Sequence, residues 1–227
     1  IKVIYKVVDV EFIMHNVVTK LVSIQEKIQK KNNNTKVVAV SKTFPIEDII
    51  PLINYGHKDF GENKVQEAVE KWTPIKKDFT DIKLHMIGKI QSNKVKYILP
   101  LFDYVHSLDN LKLAEKISNE KKKYKNDIKI FIQVNIGDEP QKSGISPNGV
   151  EEFKKRCIDE LNLNIIGLMC LPPKNKEASI YFKEMNQLLL KTNLKELSMG
   201  MSNDYMQAIE HNASYVRVGS KIFGVRS

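Results

Sequence analysis

The segment KVVAVSKT, residues 36–43, is the stretch of this chain that decides its fold class. Residues 37–40 are apolar on both faces, which is typical of a buried parallel strand. The strand leads into Ser41, Lys42 and Thr43, whereas the first strand of an open dinucleotide-binding sheet leads into a glycine-rich phosphate loop. Alternating strands and helices allow either an open sheet or a barrel, and this segment favours the barrel.

Outward from this segment, short apolar runs alternate with helix-patterned segments. We predict eight strands, at residues 36–40, 58–60, 83–87, 104–107, 128–134, 163–168, 196–199 and 215–218. The predicted helices cover residues 46–55, 64–72, 93–99, 110–124, 147–160, 176–192 and 204–210, with a further helical turn after Ser220. Eight such units close a single (β/α)8 TIM barrel.

An amphipathic helix is predicted before the barrel. Apolar residues recur at helical spacing over residues 7–28, and a polar stretch then ends the pattern. We expect residues 1–34 to form this helix and a loop packed on the barrel, and residues 35–227 to form the barrel, as one domain overall. The chain ends three residues after Gly224, so we expect no second domain.

Composition narrows the function classes. An apolar content of 42% in 227 residues supports a folded core and excludes disorder. The sequence has no apolar run near the roughly 18 residues of a membrane span, and Cys157 and Cys170 form no CxxC motif. The five histidines show no metal-binding spacing. We expect a cytoplasmic protein with no metal site, and a net charge of +9 permits phosphate or nucleic acid as a ligand.

Lys42 is the first candidate for chemistry. Functional residues of parallel barrels gather at the C-terminal ends of the strands, and Lys42 follows the first strand directly. Partial burial lowers the pKa of a lysine, and the resulting neutral amine can attack a carbonyl to form a Schiff base. A strand-end lysine alone is weak evidence in a chain this rich in lysine, so Lys42 needs partners.

Two turns of glycine and hydroxyl residues supply those partners. In residues 199–204 (MGMSND), Ser202 or Asn203 stands where the cap of the next helix belongs. Gly219 and Ser220 open the last short helix in the same way. Two helix N-termini after strands seven and eight are typical of the phosphate site of barrel enzymes, although both serines also fit ordinary helix caps.

Other polar or flexible residues at the strand ends allow two interpretations each. Glu62 and Asn63 fit either a site or a helix cap with a first-turn carboxylate. His85 and His106 fit hydrogen-bonded core histidines better than ligands. Met199 fits core packing, or a wall against a planar ring.

Several motifs resemble those of the pyridoxal phosphate homeostasis proteins. They are residues 38–43 (VAVSKT), 60–67 (FGENKVQE), 85–94 (HMIGKIQSNK), 197–204 (LSMGMSND) and 216–224 (VRVGSKIFG). The resemblance runs from about Thr35 to Gly224 in consistent order. It implies a barrel similar to the N-terminal domain of alanine racemase.

The resemblance also implies a cofactor and roles for named residues. Pyridoxal 5′-phosphate (PLP) would be held as a Schiff base on Lys42, with Arg217 facing the pyridine nitrogen and Asn63 near the ring hydroxyl. The phosphate would lie against Ser202, Gly219 and Ser220, and Met199 is the candidate wall of the ring.

These assignments predict a PLP-binding protein of vitamin B6 homeostasis and not an enzyme. A cationic Arg217 keeps the pyridine nitrogen unprotonated, which weakens the ring as an electron sink. Racemisation needs a second base, which an additional domain supplies in the racemases. We expect a monomer whose partners are PLP and PLP-dependent apo-enzymes, with no membrane or specific nucleic acid. A slow PLP-dependent racemase and a basic nucleic-acid binder are the alternatives.

Overall fold

A computed structural model describes residues 15–31, 34–124 and 127–224. Eight parallel strands form one closed sheet in chain order, and the last strand pairs with the first. This confirms the predicted TIM barrel. The strands are Lys36–Val40 (β1), Asp59–Glu62 (β2), Lys83–Met86 (β3), Tyr104–Leu108 (β4), Lys129–Val134 (β5), Ile165–Cys170 (β6), Glu196–Met201 (β7) and Tyr215–Val218 (β8).

Helices follow the strands, and one helix precedes them. They are Asn16–Gln29 (α1), Ile46–Asn54 (α2), Val65–Asp78 (α3), Val95–Ile98 (α4), Leu111–Lys121 (α5), Val150–Lys155 (α6), Ala178–Thr192 (α7), Tyr205–Glu210 (α8) and Ser220–Phe223 (α9). Helix α1 confirms the predicted N-terminal helix, while the predicted start at residue 7 lies outside the described residues. Over the part of the chain that the structure describes, no helix is long and apolar enough to cross a membrane.

Two hydrophobic clusters follow from the alternation of side chains along each strand. The larger cluster joins the outward side chains of the strands to the helices, including Leu21 and Ile24 of α1. The smaller cluster contains residues from five strands, which can meet only inside the barrel: Val38, Tyr104, Phe131, Met169 and Tyr215. The lumen is therefore a packed core. The residues that follow the C-terminal ends of the strands lie at one end of it.

Helix α3 extends beyond its predicted end. The sequence predicts an end at Trp72, yet the helix continues to Asp78 with Pro74 inside it. In the added turn, Lys76 donates to the Leu101 carbonyl over 2.9 Å and to Asp103 over 2.7 Å. These tertiary bonds compensate for the backbone hydrogen bond that a proline cannot make.

Candidate functional site

Most of the predicted site residues lie on one arc of the barrel. Lys42 follows β1, Asn63 follows β2, Ser202 follows β7, and Arg217 and Gly219 lie in and after β8. Strands β7, β8, β1 and β2 are consecutive neighbours in the closed sheet. Their C-terminal ends therefore bring these residues to the same side of the barrel mouth, together with Ser220 at the start of α9.

Met199 lies in the same strand as Ser202 but is packed differently. Its side chain is fully buried and belongs to the larger cluster, which joins the strands to the helices. This packing supports the core interpretation of Met199, and it gives no support to a contact with a planar ring.

Lys42 lies in a tight turn with a strained backbone. The turn is closed by a bond of 3.2 Å from the Phe44 N–H to the Ser41 carbonyl. Thr43, between them, has a φ of 68°, which is unfavourable for a β-branched residue. The Thr43 N–H donates to Glu67 of α3, which anchors the turn. Lys42 itself is half-buried, in agreement with partial desolvation at this strand end.

A buried carboxylate supports this turn from behind. Glu62 Oε1 accepts from Ser41 Oγ over 2.8 Å, from Trp72 Nε1 over 3.0 Å and from Lys71 Nζ over 3.1 Å. Burial raises the pKa of Glu62, and the positive charge of Lys71 opposes that effect. Lys71 also donates to the Ser41 carbonyl over 3.0 Å. The turn is therefore held by helix α3 from two directions.

The helix-cap interpretation of Glu62 and Asn63 is wrong. The residue at the N-cap position of α3 is Lys64, which makes no side-chain capping bond, and Glu62 is the last residue of β2. The extended backbone at Lys64 delays the helix by one residue. Glu62 is therefore available for the polar cluster behind Lys42.

Asn63 is half-buried, and its amide oxygen is one of few side-chain atoms left unsatisfied. In the described part of the chain, Asn63 Oδ1 is buried without a hydrogen-bond partner. Gly88, after β3, holds the backbone of Asn63 in place. A Cβ atom on Gly88 would lie only 2.1 Å from the Asn63 carbonyl oxygen, so this close approach requires glycine.

Arg217 points into the barrel and is held at two atoms. Its Nη1 donates to Ser198 Oγ over 2.6 Å, and its Nη2 donates to the Cys170 carbonyl over 2.9 Å. The residue is only 5% exposed, and burial lowers its pKa. An arginine keeps its charge even so, since its ordinary pKa lies above 12. A guanidinium with five N–H donors retains further donors for a ligand.

Ser202 caps a helix, but not the one predicted. The expectation that Ser202 or Asn203 caps the helix after strand seven is wrong, because Asp204 occupies the N-cap position of α8 and accepts from the Met201 N–H over 2.6 Å. Ser202 Oγ accepts instead from the N–H groups of Gly219 over 3.3 Å and Lys221 over 3.4 Å. The two predicted turns are thus joined through Ser202.

Sequence reasoning missed Ser198 and Glu67. A serine in the middle of an apolar strand is the only sequence signal for Ser198, and Glu67 looks like an ordinary first-turn carboxylate. The core interpretation of His85 and His106 agrees with the structure, because both rings are fully buried and hydrogen-bonded. In the described ranges, His, Cys, Asp and Glu side chains form no group of three or more that could hold a metal ion.

Comparison with known proteins gives a consistent set of matches. The family model of the alanine racemase N-terminal domain matches residues 10–227. A pyridoxal phosphate homeostasis protein of Aquifex aeolicus is 36% identical, with 93% of this chain and 99% of that protein covered. A protein of the same name from Pasteurella multocida is 35% identical, with 91% and 96% covered.

Solved structures match the barrel as well. The Synechococcus elongatus protein PipY is 30% identical in its structure without PLP, with a TM-score of 0.84 over 92% of this chain and 100% of that chain. Its structure with PLP bound gives a TM-score of 0.81 at 29% identity, with the same coverage. Alanine racemase of Clostridium difficile is similar in fold at 16% identity and a TM-score of 0.68, with 93% of this chain and 57% of that chain covered.

Proposed function

This chain belongs to the alanine racemase N-terminal domain family and to the pyridoxal phosphate homeostasis proteins, and from that premise we propose that it binds PLP and keeps it available to other proteins without substantial turnover. The observation that carries the proposal is the PLP-bound PipY structure, which matches 92% of this chain with a TM-score of 0.81. The candidate recipients are PLP-dependent apo-enzymes. Two buried free cysteines fit the reducing cytoplasm that we propose as its location.

The residues at the barrel mouth fit this cofactor. The unsatisfied Asn63 Oδ1 can accept a hydrogen bond from the ring hydroxyl. The Arg217 guanidinium has N–H donors left for the pyridine nitrogen. Gly219 lies against the end of β1, where an added Cβ would be 3.3 Å from the Val40 carbonyl, so the backbone stays close to the first strand.

We assign the attachment of PLP to Lys42. When bound, PLP supplies an aldehyde for a lysine amine and a ring that can accept electrons. Lys42 directly follows β1, at the same side of the barrel mouth as Asn63 and Gly219. Glu67 and Glu62 bind the two residues that flank Lys42, which fixes the backbone of the turn at this point.

Arg217 favours a role in holding and releasing PLP over a role in catalysis. A positive guanidinium that donates to the pyridine nitrogen disfavours a proton there, and an unprotonated ring stabilises carbanions less well. The fixed bonds from Arg217 to Ser198 and to the Cys170 carbonyl hold the guanidinium in this role. A slow amino-acid racemase is the second candidate, because the family model is that of alanine racemase.

The attachment point is tested by borohydride reduction of the PLP-loaded protein, followed by peptide mapping. We expect the pyridoxyl group on Lys42 and loss of the visible absorbance of lysine-bound PLP in the Lys42→Ala variant. The matched control is Lys89→Ala, since Lys89 is exposed after β3 at the same end of the barrel and should be dispensable. Full absorbance in Lys42→Ala would contradict the assignment and would point to another amine, such as Lys142.

Carriage and racemisation differ in what happens to added L-alanine. In deuterium oxide, we expect the PLP-loaded protein to give little α-deuteration of L-alanine, while an apo PLP enzyme in the same tube gains activity over time. Exchange of the α-proton at about 1 per second or faster would support the racemase instead. Arg217→Glu should raise any residual exchange, provided that its absorbance shows that PLP is still bound.

A further inference from the structure

A continuous chain of hydrogen bonds, buried except at its Asp59 end, runs through the barrel lumen and ends on Arg217. From Arg217, the chain passes to Ser198 Oγ, and Ser198 Oγ lies 2.7 Å from His106 Nδ1. His106 Nε2 lies 2.9 Å from His85 Nδ1, and His85 Nε2 lies 3.0 Å from Asp59 Oδ1. The chain therefore links β8, β7, β4, β3 and β2.

When both histidines are neutral, the two ends of this chain of hydrogen bonds set the direction of every bond. A carboxylate at Asp59 can only accept, and the guanidinium of Arg217 can only donate. His85 therefore donates from Nε2 to Asp59 and accepts at Nδ1 from His106 Nε2. His106 Nδ1 then accepts the Ser198 hydroxyl proton, while Ser198 Oγ accepts from Arg217. With both histidines neutral, each atom has one matching partner.

The directions of the pKa shifts agree with two neutral histidines. Burial lowers the pKa of His85 and lowers that of His106 well below its ordinary range. Burial also works against ionisation of Asp59, but the hydrogen bond from His85 and the positive charge of Lys36 oppose it, and the pKa of Asp59 is lowered. The carboxylate end of the chain is thus charged when both rings are neutral.

Ring packing holds the histidines in the orientation that the bonds require. His85 stacks on Tyr104 with centroids 4.2 Å apart and an interplanar angle of 6°. His106 stacks on Phe131 with centroids 4.4 Å apart. At the far end, Asp59 lines a cavity of about 650 Å³ at the N-terminal end of the barrel. The chain thus joins the two ends of the barrel through rigid groups.

We propose that Asp59, His85, His106 and Ser198 are positioning residues for Arg217, which hold its guanidinium in one orientation toward the pyridine nitrogen of bound PLP. This inference rests on the proposed binding of PLP beside Arg217. Ser198 is the decisive link, because its hydroxyl can accept from Arg217 and remain oriented only while His106 accepts its proton. Loss of that acceptor frees the hydroxyl to rotate and loosens the guanidinium.

The experiment uses the whole protein loaded with PLP that carries ¹⁵N in its ring. It measures the ¹⁵N chemical shift by NMR, together with the affinity for PLP. His106→Leu removes the acceptor for Ser198, so we expect the shift to move toward that of free PLP and the affinity to fall about tenfold. His106→Asn places an amide oxygen near the position of Nδ1 and should keep the wild-type shift, with affinity within about twofold. Ser198→Ala should reproduce the His106→Leu shift, which keeps the test decisive if His106→Leu does not fold.

His57→Gln is the matched control. His57 is also buried and bonds to the Asp59 backbone carbonyl, but it takes no part in the series of hydrogen bonds that ends on Arg217. The proposal is overturned if Ser198→Ala keeps the wild-type nitrogen shift, or if His57→Gln moves it as far as Ser198→Ala does. Failure of the proposed function looks different, because the wild-type protein would then show no bound PLP signal. A bound signal that Arg217→Lys leaves unchanged would overturn the role of Arg217, and this inference with it.

Discussion

The Ser202 hydroxyl can make only one further hydrogen bond. A serine oxygen accepts two bonds and donates one, and Ser202 Oγ already accepts from Gly219 and Lys221. Its proton is the group that remains for a phosphate. Ser202 therefore caps α9, and it is also a candidate phosphate donor.

Combined replacement of Ser202 and Ser220 by alanine tests the phosphate assignment. Each hydrogen bond to a charged group is worth about 1.5 to 3 kcal/mol, so we expect PLP affinity to fall at least tenfold, measured by titration. Pyridoxal, which has no phosphate, should lose little affinity. The control is Ser23→Ala on the exposed face of α1, which should change neither. Equal losses for PLP and pyridoxal would mean that the two serines support the barrel mouth and do not bind the phosphate.

At the scale of single residues, the sequence reveals the groups at strand ends but not their distant partners. Lys42 is found because its strand is short, apolar and easily recognised, whereas Arg217 is found through the resemblance to a family motif. Ser198 is not found, because its role depends on His106, which is 92 residues away in the chain. Such a bond is formed by the closure of the barrel, and no local pattern records it.

At the scale of elements, periodicity predicts the strands well and the helix ends less well. Strands β1 and β8 have their predicted bounds, because both are apolar runs with polar neighbours. The segment predicted as one helix at 147–160 is instead a 3-10 turn, helix α6 and a wider π-type turn at Arg156–Glu160. Helix ends depend on tertiary contacts, as the bonds of Lys76 beyond Pro74 show.

Helix α3 illustrates how one element controls another. Its residues Glu67 and Lys71 both contact the turn that carries Lys42, and Trp72 reaches Glu62 at the end of β2. The strained φ of Thr43 persists because these bonds fix it from outside the turn. Since the sequence pattern marks α3 only as an amphipathic helix, this role becomes visible only once the helix is placed against β1.

At the scale of the whole molecule, the barrel encloses groups that make stability depend on pH. His57, His85 and His106 all have a pKa lowered first of all by burial. The unfolded chain therefore binds protons more tightly at these positions than the folded protein does. Their contribution to stability is complete above the ordinary histidine pKa of 6.5 and is lost as pH falls toward the folded pKa values.

The partly buried Asp59 and the buried Glu62 change stability with pH in opposite directions. Asp59 has a lowered pKa despite its burial, so its contribution is present above its ordinary value of 3.8 and is lost as pH falls through the folded value. Burial raises the pKa of Glu62, so its ionisation costs stability as pH rises above 4.5. Because three histidines titrate in the same direction, we expect their effect to dominate between about pH 7 and pH 5.

The last prediction is that the free energy of unfolding falls on acidification from pH 7 to pH 5 and that His106 supplies a measurable part of the slope. A single group that gains one proton on unfolding changes this free energy by up to about 1.4 kcal/mol per pH unit. His106→Asn should therefore reduce the slope by about that amount, measured by denaturant titration at each pH. The control is Ser23→Ala on the exposed face of α1, which removes no titratable group and should leave the slope unchanged. An unaltered slope in His106→Asn would mean that the His106 ring is not held neutral inside the barrel, and the direction deduced for the lumen hydrogen bonds would then be wrong.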